Sequence, residues 1–201
     1  MLALHVEALA WSPSGEQLAA AIDDGVLARI DARGVPLAAD TLDASEGLVD
    51  LAWRPTGDAL AVVDERRTLW RVPIDGERSS LGRYSVALWS TAWDPQDRFI
   101  ATGAADGAVS LWPVKEGSRV DLFGHGDIVH AVAFDPGGGR LASAGADGRV
   151  IVWPMPGADL RAHLARITSV CLTPDQRRTL LGEPADAALA AATACESAAG
   201  R

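Results

Sequence analysis

Residues 124–153 read GHGDIVHAVAFDPGGGRLASAGADGRVIVW and hold a histidine, His125, a serine, Ser143, and an aspartate, Asp147. These are the residue types of a hydrolytic triad, in which an imidazole takes the serine proton and a carboxylate orients the ring. The same three groups can also tie strands together, because a buried carboxylate must be paired and an imidazole N–H can pair it. A nucleophile needs an open face, a substrate cleft and donors for the developing oxyanion. Ser143 instead stands mid-strand between the apolar Leu141–Ala142 and Ala144. The sequence therefore favours the structural use and assigns no catalytic residue.

Other chemistry-bearing residues give no stronger signal. Asp23–Asp24 and Asp64–Glu65 are adjacent acids at expected hairpin turns, without the alternating oxygen ligands of a calcium loop. His5, His130 and His163 stand alone, so no metal site is expected. Gly137-Gly138-Gly139 lacks the lysine of a phosphate-binding loop. Cys171 and Cys195 form neither a metal-type spacing nor a disulfide framework. No cofactor is implied.

Charge narrows the partners. Asp and Glu number 27 against 18 Lys and Arg, a formal net charge of −9. That balance argues against nucleic acid, whose phosphates demand clustered cations, and against an anionic membrane surface. No apolar run of about 18 residues is present to span a bilayer. The start, MLALHVEALAWSP, lacks the basic region and cleavage site of a signal peptide, so a cytoplasmic setting is expected.

The elements that must position His125, Ser143 and Asp147 are written as a repeat. AWSPSGEQLAAAIDDG, AWRPTGDALAVVDER, AWDPQDRFIATGAADG and AFDPGGGRLASAGADG align, with aromatic anchors Trp11, Trp53, Trp93 and Phe134 spaced by 42, 40 and 41 residues. Counting six residues on from Asp24, Asp64, Asp106 and Asp147 reaches Ile30, Trp70, Trp112 and Trp153, spaced by 40, 42 and 41. Each unit reads as a small sheet. A first strand such as residues 129–134 leads into a proline-glycine turn, a second strand follows, an Asp-Gly hairpin turns the chain, and a third strand closes on tryptophan. A weaker fourth strand, around residues 119–122, leads into the next unit.

A period near 41, a Gly-His, an aspartate in the second turn and a closing tryptophan resemble the WD-repeat (WD40) family of β-propellers. The resemblance covers about residues 5–157 and is most specific in the fourth unit. It is weakest in the first two, which lack the Gly-His, and Ile30 replaces the closing tryptophan in the first. It implies an all-β fold, a WD40-type β-propeller of four blades forming a partial ring. The four repeats occupy about 5–42, 43–83, 84–123 and 124–157 within a domain spanning 1–157. It further implies a structural tetrad of His125, Ser143, Asp147 and Trp153, in which every polar group is satisfied inside a blade. The third unit keeps Thr102, Asp106 and Trp112 but has Tyr84 in place of the histidine, and the first has Ala20 in place of the serine.

After Trp153 the pattern changes. Leu160, Leu164, Ile167 and Cys171 recur at helical spacing, and Thr173-Pro174-Asp175-Gln176 reads as a capping box. A helical, partly disordered C-terminal tail is expected over 158–201. Its phrase ARITSVCLTPDQRRTLLGE is similar to the tails of bacterial WD-repeat proteins, which implies the regulatory or sensor propeller of a bacterial signalling protein. Propellers of the family it resembles usually carry more blades than four, so the resemblance implies that four repeats leave the ring open. It is expected to be completed either by further repeats upstream in a longer chain, the favoured reading, or by a second copy in a homodimer.

A propeller without catalytic groups works by presenting loops, so the resemblance implies a non-catalytic scaffold for a protein or peptide partner. Glu7, Val49, Trp89 and His130, each four residues before the aromatic anchor, are equivalent and are expected on the binding rim. Trp89 stands out because tryptophan is enriched among interface hot spots. The alternatives are a propeller-based hydrolase, which would need clustered acids or histidines on one rim, and a truncated fragment with no function of its own.

Overall fold

The computed structural model describes residues 5–22, 24–42 and 47–155, together with 174, 184–186, 189, 190 and 193. The chain divides into two units, Met1–Met155 and Pro156–Arg201. The expected C-terminal tail, with Cys171 and Cys195, lies almost wholly outside the described residues.

The first unit is built of four antiparallel meanders, each a blade. Blade 1 holds β1 (Val6–Trp11), β2 (Gln17–Ile22), β3 (Val26–Asp31) and β4 (Pro36–Thr41). Blade 2 holds β5 (Leu48–Trp53), β6 (Ala59–Asp64), β7 (Thr68–Pro73) and β8 (Ser79–Arg83). Blade 3 holds β9 (Leu88–Trp93), β10 (Phe99–Ala104), β11 (Ala108–Pro113) and β12 (Val120–Phe123). Blade 4 shows β13 (Val129–Phe134), β14 (Arg140–Gly145) and β15 (Val150–Pro154). The first strands line up side by side, β1 against β5, β5 against β9 and β9 against β13.

Strands this short and apolar on both sides bury nothing alone; their faces must stack on neighbours. Each junction uses the same complementarity. Small residues of one blade receive large ones of the next: Ala19 and Ala21 share a cluster with Leu51, Trp53 and Leu60. Ala59, Ala61 and Val63 meet Trp93, Ile100 and Trp112, and Ala101 and Val109 meet Val132 and Leu141. Full burial of each such large side chain contributes about 1.5–3 kcal/mol.

Among the described residues, each of the two end blades has one face without a neighbour. Trp11 is 56% exposed where the equivalent Trp53 is 8% exposed, and Leu9 is exposed beside it. On blade 4, Val150 and Val152, equivalent to the buried Val109 and Leu111, are 72% and 57% exposed.

Hydrogen bonds also run from blade to blade along the first strands. The Asp50 carboxylate accepts from the Thr91 N–H at 2.7 Å, and the Ser90 hydroxyl accepts from the Val132 N–H at 3.2 Å. Ser90 also bonds the Asp50 carboxylate. Burial pushes the Asp50 carboxyl above its ordinary range, and the bonds from Thr91, Leu51 and Ser90 oppose that shift.

The pairing register corrects one sequence reading. Leu18, Ile100 and Leu141 pair with Ile30, Trp112 and Trp153, but in blade 2 the equivalent Leu60 pairs with Val72. The blade 2 counterpart of the closing tryptophan is therefore Val72, and Trp70 lies two residues earlier. Likewise the place of Asp106 and Asp147 falls to Arg66, and Arg67 takes the left-handed turn position (φ 70°) that is glycine at 25, 107 and 148. Asp64 ends β6 and is buried, where its carboxylate accepts from the Thr68 N–H at 2.8 Å and the Trp70 indole at 2.7 Å. A local Asp–Trp clasp takes the place of the tetrad, and it kept the Asp-to-Trp count of six while shifting its register.

Candidate functional site

The loop entering blade 4 carries His125 into the space between β14 and the hairpin that follows it. His125 Nδ1 lies 3.0 Å from Asp147 Oδ1, and Nε2 lies 2.8 Å from Ser143 Oγ. The Trp153 indole N–H donates to the same Ser143 oxygen at 2.8 Å. Indole donates only, so the serine proton goes to Nε2, and Nδ1–H is left to donate to the carboxylate. Asp147 also accepts from the backbone N–H groups of Gly126 and Arg149, both at 3.0 Å. These bonds, that of Gly126 foremost and then those of His125 and Arg149, hold its carboxyl down at about 2.

Two glycines make room for this chain. A Cβ on Gly145 would come within 2.7 Å of His125 Nδ1 and 3.0 Å of Asp147 Oδ1. One on Gly124 would stand 2.8 Å from the Trp153 ring. Any side chain at Gly145 would push the imidazole off its carboxylate.

Connectivity alone matches a hydrolytic triad, but access does not. Ser143 is 1% exposed, and the His125 side chain is fully buried. That burial leaves a substrate carbonyl no path to the hydroxyl oxygen, which the indole also covers on one side. Among the described residues no three His, Cys, Asp or Glu side chains gather as a metal site would require.

Blade 3 builds its polar core differently. The Trp112 indole donates to Thr102 Oγ1 at 2.9 Å, while Asp106 caps its own turn through the Ala108 N–H at 3.1 Å. Tyr84, at the histidine position, bonds Ser110 instead. The Arg119 guanidinium stacks 4.5 Å from the Tyr84 ring centroid and 5.0 Å from that of Trp112. Asp121 holds that guanidinium at 2.9 Å and accepts from Ser110 at 2.6 Å. The sequence reading missed this set; the exposed-looking R-V-D of the fourth strand was its only trace.

The second candidate surface lies at the first strands. In every blade the ladder between the first two strands skips one residue, and the skipped residues are Glu7, Val49, Trp89 and His130. A bulge there turns the side chain out of the pleat. Glu7, Val49 and Trp89 share the lining of one cavity of about 330 Å³. Trp89 is 44% exposed and meets His130 edge to face, with ring centroids 5.9 Å apart at 77°. The sequence placed the four residues at one position of the repeat; it gave no sign of the bulge, nor of Glu65, which joins the cavity from the blade 2 hairpin.

Comparison with known proteins follows the repeats. Residues 78–113 and 117–154 match the family model described as WD domain, G-beta repeat. The chain is 31% identical over 121 residues to WD repeat-containing protein 1 of Gallus gallus, covering 57% of this chain and 20% of that protein. It is 36% identical over 75 residues to eukaryotic translation initiation factor 3 subunit I of Pyricularia oryzae, covering 35% of this chain and 21% of that one. The matches thus span about a fifth of the length of these relatives.

Ser143→Ala should leave the Trp153 indole and His125 Nε2 unpaired in a closed core and cost about 1–3 kcal/mol. Urea unfolding followed by tryptophan fluorescence measures this, and an unchanged midpoint would exclude the chain from the stability of blade 4. Asp147 makes a pH-dependent contribution. Its folded pKa of about 2 lies below the ordinary 3.8, so its ionised form stabilises the fold above about pH 4, and that support is lost as pH falls towards 2. The gap in urea midpoint between the parent and Asp147→Asn should therefore narrow from pH 5 to pH 2; a constant gap contradicts it.

Proposed function

The chain carries WD repeats, and from that premise we propose that it is a non-catalytic protein-interaction scaffold whose binding surface is the rim of first-strand bulges. The observation that carries this reading is the recurrence of one bulge in all four blades. It aims Glu7, Val49, Trp89 and His130 out of the ladder at the same repeat position. A partly exposed tryptophan beside a cavity is the kind of anchor on which interface energy concentrates. One similar protein is by its name a subunit of a multi-subunit factor, which supports a role in assembly. The buried Ser143 argues against the hydrolase alternative, and a specific esterase rate abolished by Ser143→Ala would reverse that part of the proposal.

Within the same proposal, the propeller is the regulatory or sensor part of a larger cytoplasmic protein, of the bacterial signalling kind that the tail resembles. Further blades of the same build then cover the open faces at Leu9–Trp11 and Val150–Val152. The small-into-large packing at all three internal junctions supports this, because each open face repeats one half of it. The matched relatives are about five times longer than the matched segments, which agrees with it.

Peptides selected from a random display library on the 201-residue chain should lose at least tenfold in affinity on Trp89→Ala. The same peptides should be indifferent to Phe123→Ser on the outer edge of blade 3. Selected peptides that ignore Trp89→Ala would place the binding surface elsewhere. Light scattering after size-exclusion chromatography should give the mass of one chain, with binding of a hydrophobic dye to the open faces. A compact particle of twice that mass, silent to the dye, would mean that a second copy covers them.

A further inference from the structure

We propose that the cavity between the first strands of blades 1, 2 and 3 is a receptor for a single cationic side chain, lysine or arginine, of the partner polypeptide. The inference rests on the rim reading above and names what that rim takes. The cavity, at about 330 Å³, is at the small end of ligand sites, so it suits one inserted side chain rather than a helix or strand. Its walls are Leu48, Val49 and Leu88 with the Trp89 indole, and its polar groups include the carboxylates of Glu7 and Glu65.

That combination selects the ligand by its chemistry. A long basic side chain has an apolar stem and a charged head, and it buries the one while its head seeks polar partners. Val49 and the part-exposed Trp89 ring fit the stem, over a floor closed by the buried Leu48 and Leu88. The head then has an indole face for cation–π attraction and two carboxylates for charge-assisted hydrogen bonds. An acidic side chain would meet two like charges here, and a purely apolar one would leave both carboxylates desolvated without a partner. Each carboxylate is also held in place. Glu7 accepts from the neighbouring exposed His5 at 2.8 Å, and Glu65 accepts from the Gly47 N–H at 3.3 Å. Each keeps accepting capacity towards the cavity, since an ionised carboxylate takes about four hydrogen bonds. The overall charge of −9 draws a cationic partner towards the surface as well.

The test uses the 201-residue chain and four blocked pentapeptides, alanine throughout except for a central lysine, arginine, norleucine or glutamate. Binding is read from the Trp89 indole N–H resonance, identified by its loss in Trp89→Phe. The lysine or arginine peptide should shift it saturably, at least tenfold more tightly than the norleucine or glutamate peptide, and which of the two binds better names the head group. Glu7→Gln and Glu65→Gln, which retain an oxygen acceptor and remove the charge, should each weaken that binding threefold or more. Raising the salt from 50 to 500 mM should weaken it further. Equal binding of the norleucine peptide, indifference to both glutamate changes, or no shift with any peptide would overturn the cationic assignment. The wider rim reading is judged apart from it, by whether library-selected peptides of any composition depend on Trp89.

Discussion

A sheet of four short strands with two apolar faces has no interior, so a blade can be stable only between neighbours. Most of the first unit follows from that requirement. The small residues at Ala19, Ala61 and Ala101 and the large ones at Leu60, Ile100 and Leu141 are two halves of one joint, repeated at every junction. Where the neighbour is missing, the same residue types lie open to solvent, and Trp11 differs from Trp53 in nothing but what stands beside it. Stability here is a sum over junctions, so the end blades are the weakest part of the unit.

Polar groups inside such a stack have to be closed on themselves, and blades 2, 3 and 4 do so in three ways. Blade 4 runs indole to hydroxyl to imidazole to carboxylate. Blade 3 gives its indole N–H to the Thr102 hydroxyl and stacks a guanidinium, paired with Asp121, on Tyr84 and Trp112. Blade 2 pins its indole directly on Asp64. All three satisfy a tryptophan N–H and anchor a strand or hairpin, which suggests that the packing constrains the indole first and leaves the acceptor free to vary. The likeness of the blade 4 chain to a catalytic triad comes from the same rules of donors and acceptors. Burial separates the two uses. A hydroxyl closed inside a core, with an indole already on one lone pair, has no path to a substrate.

The sequence shows the period well because strand and turn lengths set it, and the distance from His125 to Trp153 is a sum of such lengths. That is why residues far apart in the chain, yet joined in the structure, can be picked out before any coordinates. The same counting slips in blade 2. Asp64 and Trp70 keep the spacing of six but stand two residues out of register, because a clasp within one hairpin needs a fixed separation and no fixed place in the ladder. Spacing therefore identifies a pair, while register identifies a position, and only the ladder gives register. Polar residues inside otherwise apolar first strands, Asp50 in LVDLAW and Ser90 in LWSTAW, were a readable sign of the bonds between blades.

The bulges had no such sign, since Glu, Val, Trp and His share no property that would mark a break in pairing. They arise from geometry. First strands pack side by side from blade to blade, and a skipped residue lets each strand bend and twist away from its neighbour. The skipped side chain then has nowhere to go except outward. A constraint that belongs to the packing of blades thus creates, once per repeat, a position whose residue the fold does not dictate. Variation there costs the scaffold little, so recognition can be written at those positions while the junctions are left intact. The placing of an aromatic ring, an imidazole, an aliphatic and an acid at four equivalent points is what that freedom looks like in one chain.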